Sequence, residues 1–235
     1  MGVRRNQASL SASDWAGFID AVNQTHGVGA TAPAYRDFVS LHVAAMTSGQ
    51  GMMWGVHTMR NMGTVGRNFL AWHRQYLHLF EQRLQQVHAS VTVPYWDWIA
   101  DPTVPPALSD PSLLTQWSVT RDWNPQFMPD QAELDAALAK ASFVGFQRSL
   151  EAVHGAVHDA VGGTMAGSGS PGDPLFWLHH ANVDRLWDQW HTAHPKALPP
   201  NRGEVLQPAQ WNGAAFFGMK VSTLTSIGPL GYSYG

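Results

Sequence analysis

The chain has 235 residues, 44% hydrophobic and 13% charged, with a formal net charge of −3 and no cysteine; this fits a single domain over 1–235 and excludes disulfide scaffolds, thiolate metal sites and thiol nucleophiles. Three lysines, no apolar run near ~18 residues and no apolar stretch after Met1 leave no nucleic-acid footprint, membrane span or signal peptide, so the cytoplasm is the default expectation. Histidine stands out, with 12 against 14 Lys+Arg.

Ser13 is placed to cap a first helix through Trp15, Phe18, Ile19 and Val22. Pro33 opens a second, carrying Tyr35, Phe38, Leu41, His42 and Ala45. Residues 48–66 are Gly- and Met-rich and read as irregular loop. A long third helix is predicted from about Asn68 to His88, with Phe69, Trp72, His73, Tyr76, Leu77, Phe80 and Leu84 facing inward. Val91–Trp98 reads as extended, and Pro94 argues against a central strand. A Pro- and Asp-rich loop follows over 100–130. Asp130 caps a short helix to Lys140, and Ser142 opens one to about Val161. After the small-residue loop 162–172, Asp173-Pro174 starts a helix with His179, His180, Trp187 and Trp190. From Pro195 on, loop dominates. The fold expected is mainly α, with four longer helices.

His154 and His158 lie four apart, so a helix stacks both imidazoles on one face, close enough to share a metal. The plain alternative is a pair of partly exposed helix histidines. A metallopeptidase needs Glu after the first histidine as general base, and Gly155 stands there. His179 and His180 diverge by ~100° on a helix, so one can bind a metal while the other is buried beside it. Asp184, one turn on from His180, would either fix that ring's tautomer or pair at the surface with Arg185 or another neighbour. His73 and His42 sit among core residues, as ligands or as hydrogen-bonded core histidines. Four helices delivering histidine to one core favour a metal site. An imidazole-only set favours copper over iron, manganese or magnesium, with zinc still open.

These segments resemble the tyrosinase family of type 3 dicopper proteins, which includes catechol oxidases and o-aminophenol oxidases, nearly end to end. Phe69-Leu70-Ala71-Trp72-His73-Arg74 resembles its first-copper signature, usually with Pro at the place of Ala71. Pro94-Tyr95-Trp96-Asp97-Trp98 resembles a core segment of the family. His154-x-x-x-His158 and Asp173-Pro174-Leu175-Phe176-Trp177-Leu178-His179-His180 resemble the second-copper signature. Tyr232-Ser233-Tyr234 resembles its closing tyrosine motif, on which an N-terminal arginine packs, here Arg4 or Arg5.

The resemblance implies a four-helix bundle around two copper ions. His154, His158 and His180 would bind the second copper, with His179 beside them as a non-ligand. His42 and His73 would be outer ligands of the first. Its middle ligand usually lies nine residues before the Trp-His-Arg histidine, where this chain has Thr64. His57 is the nearest substitute; otherwise the first copper has two histidines or its site is partly lost. His26, His78, His88, His191 and His194 match no motif and are read as surface residues.

The implied activity is O2-dependent oxidation of small phenols, chiefly o-diphenols to o-quinones, with or without monophenol hydroxylation; no nucleic-acid or membrane partner is expected, and a copper-delivery protein stays open. Glu151 would accept or position a phenolic proton through water, or pair with Arg148 as an exposed carboxylate. Many monophenol-hydroxylating relatives carry Asn where Gly155 stands, so Gly155 is read as setting activity toward diphenols. The competing readings are an O2 carrier, disfavoured because the chain ends at the tyrosine motif without a shielding domain, and a histidine-ligated zinc hydrolase.

Overall fold

In the computed structural model, which describes residues 2–27, 33–47, 49–59, 63, 65–211, 214–215 and 217–235, N-cap side chains set the starts of four α-helices. Helix α1 (Ala12–His26) is capped by Ser11, not Ser13; the Ser11 hydroxyl accepts Asp14 N–H while Asp14 accepts Ser11 N–H. Helix α2 spans Tyr35–Thr47. A short helix, α3 (Gly49–Met53), lies within the segment expected to be loop. Helix α4 covers Phe69–Gln85. The expected 100–130 loop is interrupted by α5 (Pro111–Trp117), with Asp110 as cap and Pro111 where no intrahelical N–H is needed. Asp130 and Glu133 form a capping box for α6 (Gln131–Leu138).

Ser142 caps α7 (Phe143–Val161), as the sequence predicts, and Gly162 ends it at φ 65°. A Cβ at Gly162 would lie 2.6 Å from Asp122 O, so both backbone and space demand glycine there. Before α8 (Leu175–Ala193), the Asp173 carboxylate accepts the Leu175 N–H and is held by Arg121 through two bonds of 2.7 and 2.8 Å.

Helices α2, α4, α7 and α8 build the bundle. Burial on α4 and α8 extends beyond one stripe to Arg74, Gln75, Glu81, Asn182 and Asp184, so these two helices are central. Phe80 stacks on Trp177 at 3.7 Å and Phe146 on Trp190 at 4.2 Å, joining α4 to α8 and α7 to α8. Each such pair adds about 0.5–1.5 kcal/mol beyond its area burial. Phe38 meets Phe80 and Trp177 edge-on, and the Tyr76 hydroxyl donates to Phe38 O at 2.6 Å, which seats α2. Among the described residues no helix is long and apolar enough to cross a membrane.

Strand content is small. The unpredicted strand β1 (Gly2–Arg4) pairs with the C-terminal strand Tyr232–Tyr234 in parallel, Gly2 opposite Tyr232. Gln210–Trp211 pairs antiparallel with Ala214–Ala215. Val91–Trp98 is irregular and extended, with one bridge from Tyr95 to Asn6.

The joined termini resolve two open assignments. Arg4, not Arg5, lies on the tyrosine motif, its guanidinium 3.6 Å from the Tyr232 ring centroid, while Arg5 pairs with Asp14 at the surface. Asp184 neither orients His180 nor pairs with Arg185. It is buried and accepts from Arg4, Arg74 and the hydroxyls of Tyr232 and Tyr234. Burial pushes its carboxyl up, but Arg74 and Arg4 outweigh this and hold it below the ordinary value. Arg185 bonds Asn182 and Asp97 instead.

Candidate metal centre

Seven histidines converge between α2, α4, α7 and α8 in two adjoining groups. His42 (α2), His57 (the loop after α3) and His73 (α4) have one ring nitrogen each within 4.8 Å of one another. His154 and His158 (α7) with His179 and His180 (α8) form the second group by the same measure. His73 stacks on His180 at 4.3 Å, and His57 on His154 at 5.8 Å, so the groups share a boundary.

Backbone carbonyls decide which nitrogen faces inward. His42 Nδ1 lies 2.7 Å from Ser168 O, His73 Nδ1 2.8 Å from Phe69 O, and His158 Nδ1 2.7 Å from Met165 O. His154 Nδ1 lies 3.2 Å from Glu151 O. A carbonyl only accepts, so each Nδ1 carries the proton and each Nε2 presents a lone pair. The Nε2 atoms of His42, His57 and His73 are buried without a hydrogen-bond partner. In the second group the Nε2 atoms of His154 and His180 are 3.3 Å apart, and the His180 Nδ1 has no partner. Buried ring nitrogens left in this state cost stability, and a shared metal ion would satisfy them. The donors fit it.

Burial also keeps the helix-borne rings neutral. It pushes His42 down to about 3 and His158 to about 4, and holds His73, His154 and His180 well below the ordinary histidine value. A neutral imidazole is the form that binds a metal. Phe176, 4.1 Å from His180 and 5.3 Å from His42, and Phe69, 4.8 Å from His154, exclude water from the rings. No carboxylate belongs to either group among the described residues, so the donor set is imidazole alone, which suits copper.

Other predicted positions resolve as follows. Thr64 lies outside the described residues, and His57 is the histidine brought to His42 and His73. His179 is buried, stacked on His154 at 5.0 Å, with both ring nitrogens unpartnered, so proximity alone does not set it apart. Glu151 is not an exposed partner of Arg148. Its side chain is 12% exposed, and its two oxygens accept the N–H and hydroxyl of Thr58 at 2.6 and 2.8 Å. It also lines a small cleft with Val65, Arg67, Val144 and Arg148. A Cβ on Gly155 would meet nothing within 4 Å, so this glycine is not required by helix packing. Of the five remaining histidines, His88 lies at the surface as expected, and the others are partly buried against the fold. His26 stacks on Tyr35, His78 lies near the Tyr232 ring, His88 bonds Asp20, His194 stacks on Trp190, and His191 is half-buried.

Sequence reasoning missed Thr58, Gly66 and Gln147, which tie the His57 loop to α7. No local pattern marks them.

Comparison with known proteins agrees with this geometry. The family model described as the common central domain of tyrosinase matches residues 32–133 and 110–193. A tyrosinase of Streptomyces antibioticus is 33% identical, covering 90% of this chain and 93% of that protein. A tyrosinase of Streptomyces glaucescens is 34% identical over 83% of this chain and 84% of its own. The structure of a functional unit from octopus hemocyanin superposes with a TM-score of 0.74 at 23% identity, covering all of this chain and 68% of that one, a likeness of fold.

Proposed function

The chain belongs to the tyrosinase family of type 3 copper proteins, and from that premise we propose that it oxidises small phenols, chiefly o-diphenols to o-quinones, with O2 as acceptor. The observation that carries this reading is the two adjoining histidine groups, the first with three unpartnered Nε2 atoms and the second with the Nε2 atoms of His154 and His180 facing each other at 3.3 Å. The cofactor is a dinuclear copper centre. His42, His57 and His73 would hold one copper and His154, His158 and His180 the other. His180 is preferred to His179 because its Nε2 faces that of His154 at 3.3 Å and its ring stacks on His73. When bound, the copper pair supplies redox centres that take two electrons from each diphenol and pass them to O2, so two diphenols are oxidised for each O2 reduced to two waters.

The protein's share of the chemistry is positioning, water exclusion and proton handling. Carbonyls of Phe69, Glu151, Met165 and Ser168 fix four ligand rings in one tautomer. Glu151 lines the cleft next to His57. A carboxylate has about four acceptor positions, so after two bonds from Thr58 it still has room to take a phenolic proton, directly or through water. Gly155, one turn beyond Glu151 on α7, adds no polar group where a monophenol would need help to ionise. A diphenol, more acidic and easier to oxidise, suffers less from that lack.

Relatives aligned along nearly the whole chain are tyrosinases, which favours turnover over oxygen carriage. An oxygen electrode decides it. Copper-loaded protein given a catechol should consume O2 steadily while quinone absorbance rises. Reversible O2 uptake without loss of catechol would make it a carrier, and hydrolytic activity of the zinc-loaded protein would overturn the redox reading.

A further inference from the structure

Helix α7 serves both histidine groups from one face. Gln147, Glu151, His154 and His158 are spaced four, three and four residues apart, which places them on one stripe. The C-terminal pair lies in the second group. The N-terminal pair reaches across to the segments that carry the first. Glu151 Oε1 accepts Thr58 N–H at 2.6 Å, and Oε2 accepts the Thr58 hydroxyl at 2.8 Å. Thr58 Oγ1 in turn accepts Gly66 N–H at 2.9 Å. Gln147 Nε2 donates to Gly66 O at 2.9 Å and Arg67 O at 3.2 Å, and its Oε1 accepts the Leu70 N–H at the start of α4.

Thr58 directly follows His57, and Glu151 Oε1 lies 3.6 Å from His57 Nδ1, too far for a hydrogen bond but close enough to orient a ring N–H toward it. A Cβ on Gly66 would sit 2.7 and 2.9 Å from the two Glu151 oxygens. The contact therefore depends on glycine there. His57 is the ligand without a helix to hold it.

We propose that Glu151, Thr58 and Gly66 form a clamp by which α7 positions His57, making retention of the first copper depend on the helix that carries ligands of the second. This rests on the assignment of His57 to the first copper. Glu151 and Thr58 are positioning residues in this role: loss of their bonds frees the loop without removing a ligand. Changing an outer partner of a metal-ligating histidine lowers metal affinity by about 10–100-fold.

The test is copper release to a titrated chelator from the copper-loaded protein, counting copper per chain. Thr58→Val, Glu151→Gln and Gly66→Ala should each release one of two coppers at about 10–100-fold lower chelator than wild type. The second copper should leave as in wild type, and Thr58→Ser should restore tight binding. Gly66→Ala removes no polar group; its Cβ would press on the Glu151 carboxylate and on Thr58 N, so it displaces the clamp without deleting a bonding partner. Thermal unfolding of the metal-free variants separates clamp loss from a general loosening of the fold. Equal weakening of both coppers, or wild-type retention in all three variants, overturns the clamp. His57→Ala is the reference: if it keeps two coppers, the ligand assignment itself has failed, whereas if it loses one and the clamp variants lose none, only the clamp has.

Discussion

The second histidine group is carried by helices alone, with His154 and His158 one turn apart on α7 and His180 on α8, whereas the first takes His42 and His73 from helices and His57 from a loop. Helical spacing places a ligand through backbone geometry that neighbouring residues already determine. A loop ligand has no such frame and must be held by tertiary bonds, here from Thr58 to a glutamate 93 residues away. The two sites thus face similar donors toward a metal but differ in what keeps those donors in place. Ligand changes should empty either site, while changes to supporting bonds should loosen mainly the first.

The largest effect expected is from His158→Ala or His180→Ala, which should abolish diphenol oxidation and reduce copper from two ions per chain to one by metal analysis. Activity surviving either change would break the assignment of the helical site. Next, Asp184→Ala separates fold from metal on α8. The structure gives Asp184 to Arg4, Arg74 and the two tyrosines rather than to His180, so denaturant unfolding should show about 3–5 kcal/mol lost while copper affinity stays unchanged. A drop in copper affinity would restore Asp184 to a role beside His180.

Gly155→Asn should raise the ratio of monophenol hydroxylation to diphenol oxidation. One general-base contact is worth about 10²–10⁴-fold, and a water-mediated one belongs at or below the lower end. Because a Cβ at Gly155 meets open space, both activities should survive; an unchanged ratio, or equal loss of both, would remove Gly155 as the determinant.

The smallest effect concerns pH. Burial holds His42 near 3 and His158 near 4 in the folded chain, against about 6.5 unfolded. Between those values the unfolded chain binds more protons. The resulting stability is fully present above about pH 6.5 and is lost as pH falls toward 3–4. Metal-free protein should therefore show a lower denaturant midpoint at pH 5 than at pH 7. The copper held by His154, His158 and His180 should stay at pH 5, since burial keeps those rings neutral in the folded chain. An unchanged midpoint would contradict the burial of these rings.

What the sequence made legible follows the same division. The Ser142 cap, the four-residue spacing of His154 and His158, and a helix start just after Asp173 are all local, and each is found in the structure, α8 beginning at Leu175. His57 was reachable only through the ligand missing from its usual spacing. Its clamp was not legible, because Glu151 and Gln147 meet Thr58 and Gly66 only once α7 has packed beside α4. Asp184 was misplaced for a related reason. Three of its four partners, Arg4, Tyr232 and Tyr234, come from the chain ends, which meet through two three-residue strands that no periodicity announces. The helix Pro111–Trp117 hid inside a Pro- and Asp-rich stretch because the same two residue types mark loops and helix starts alike.

Copper counted per chain in wild type and in His57→Ala tests the pairing of a helical site with a loop-completed one most directly. The structure predicts two ions in the wild type and one in the variant, with the remaining ion still held by His154, His158 and His180. Two ions in both proteins, or a single ion in the wild type, would contradict it.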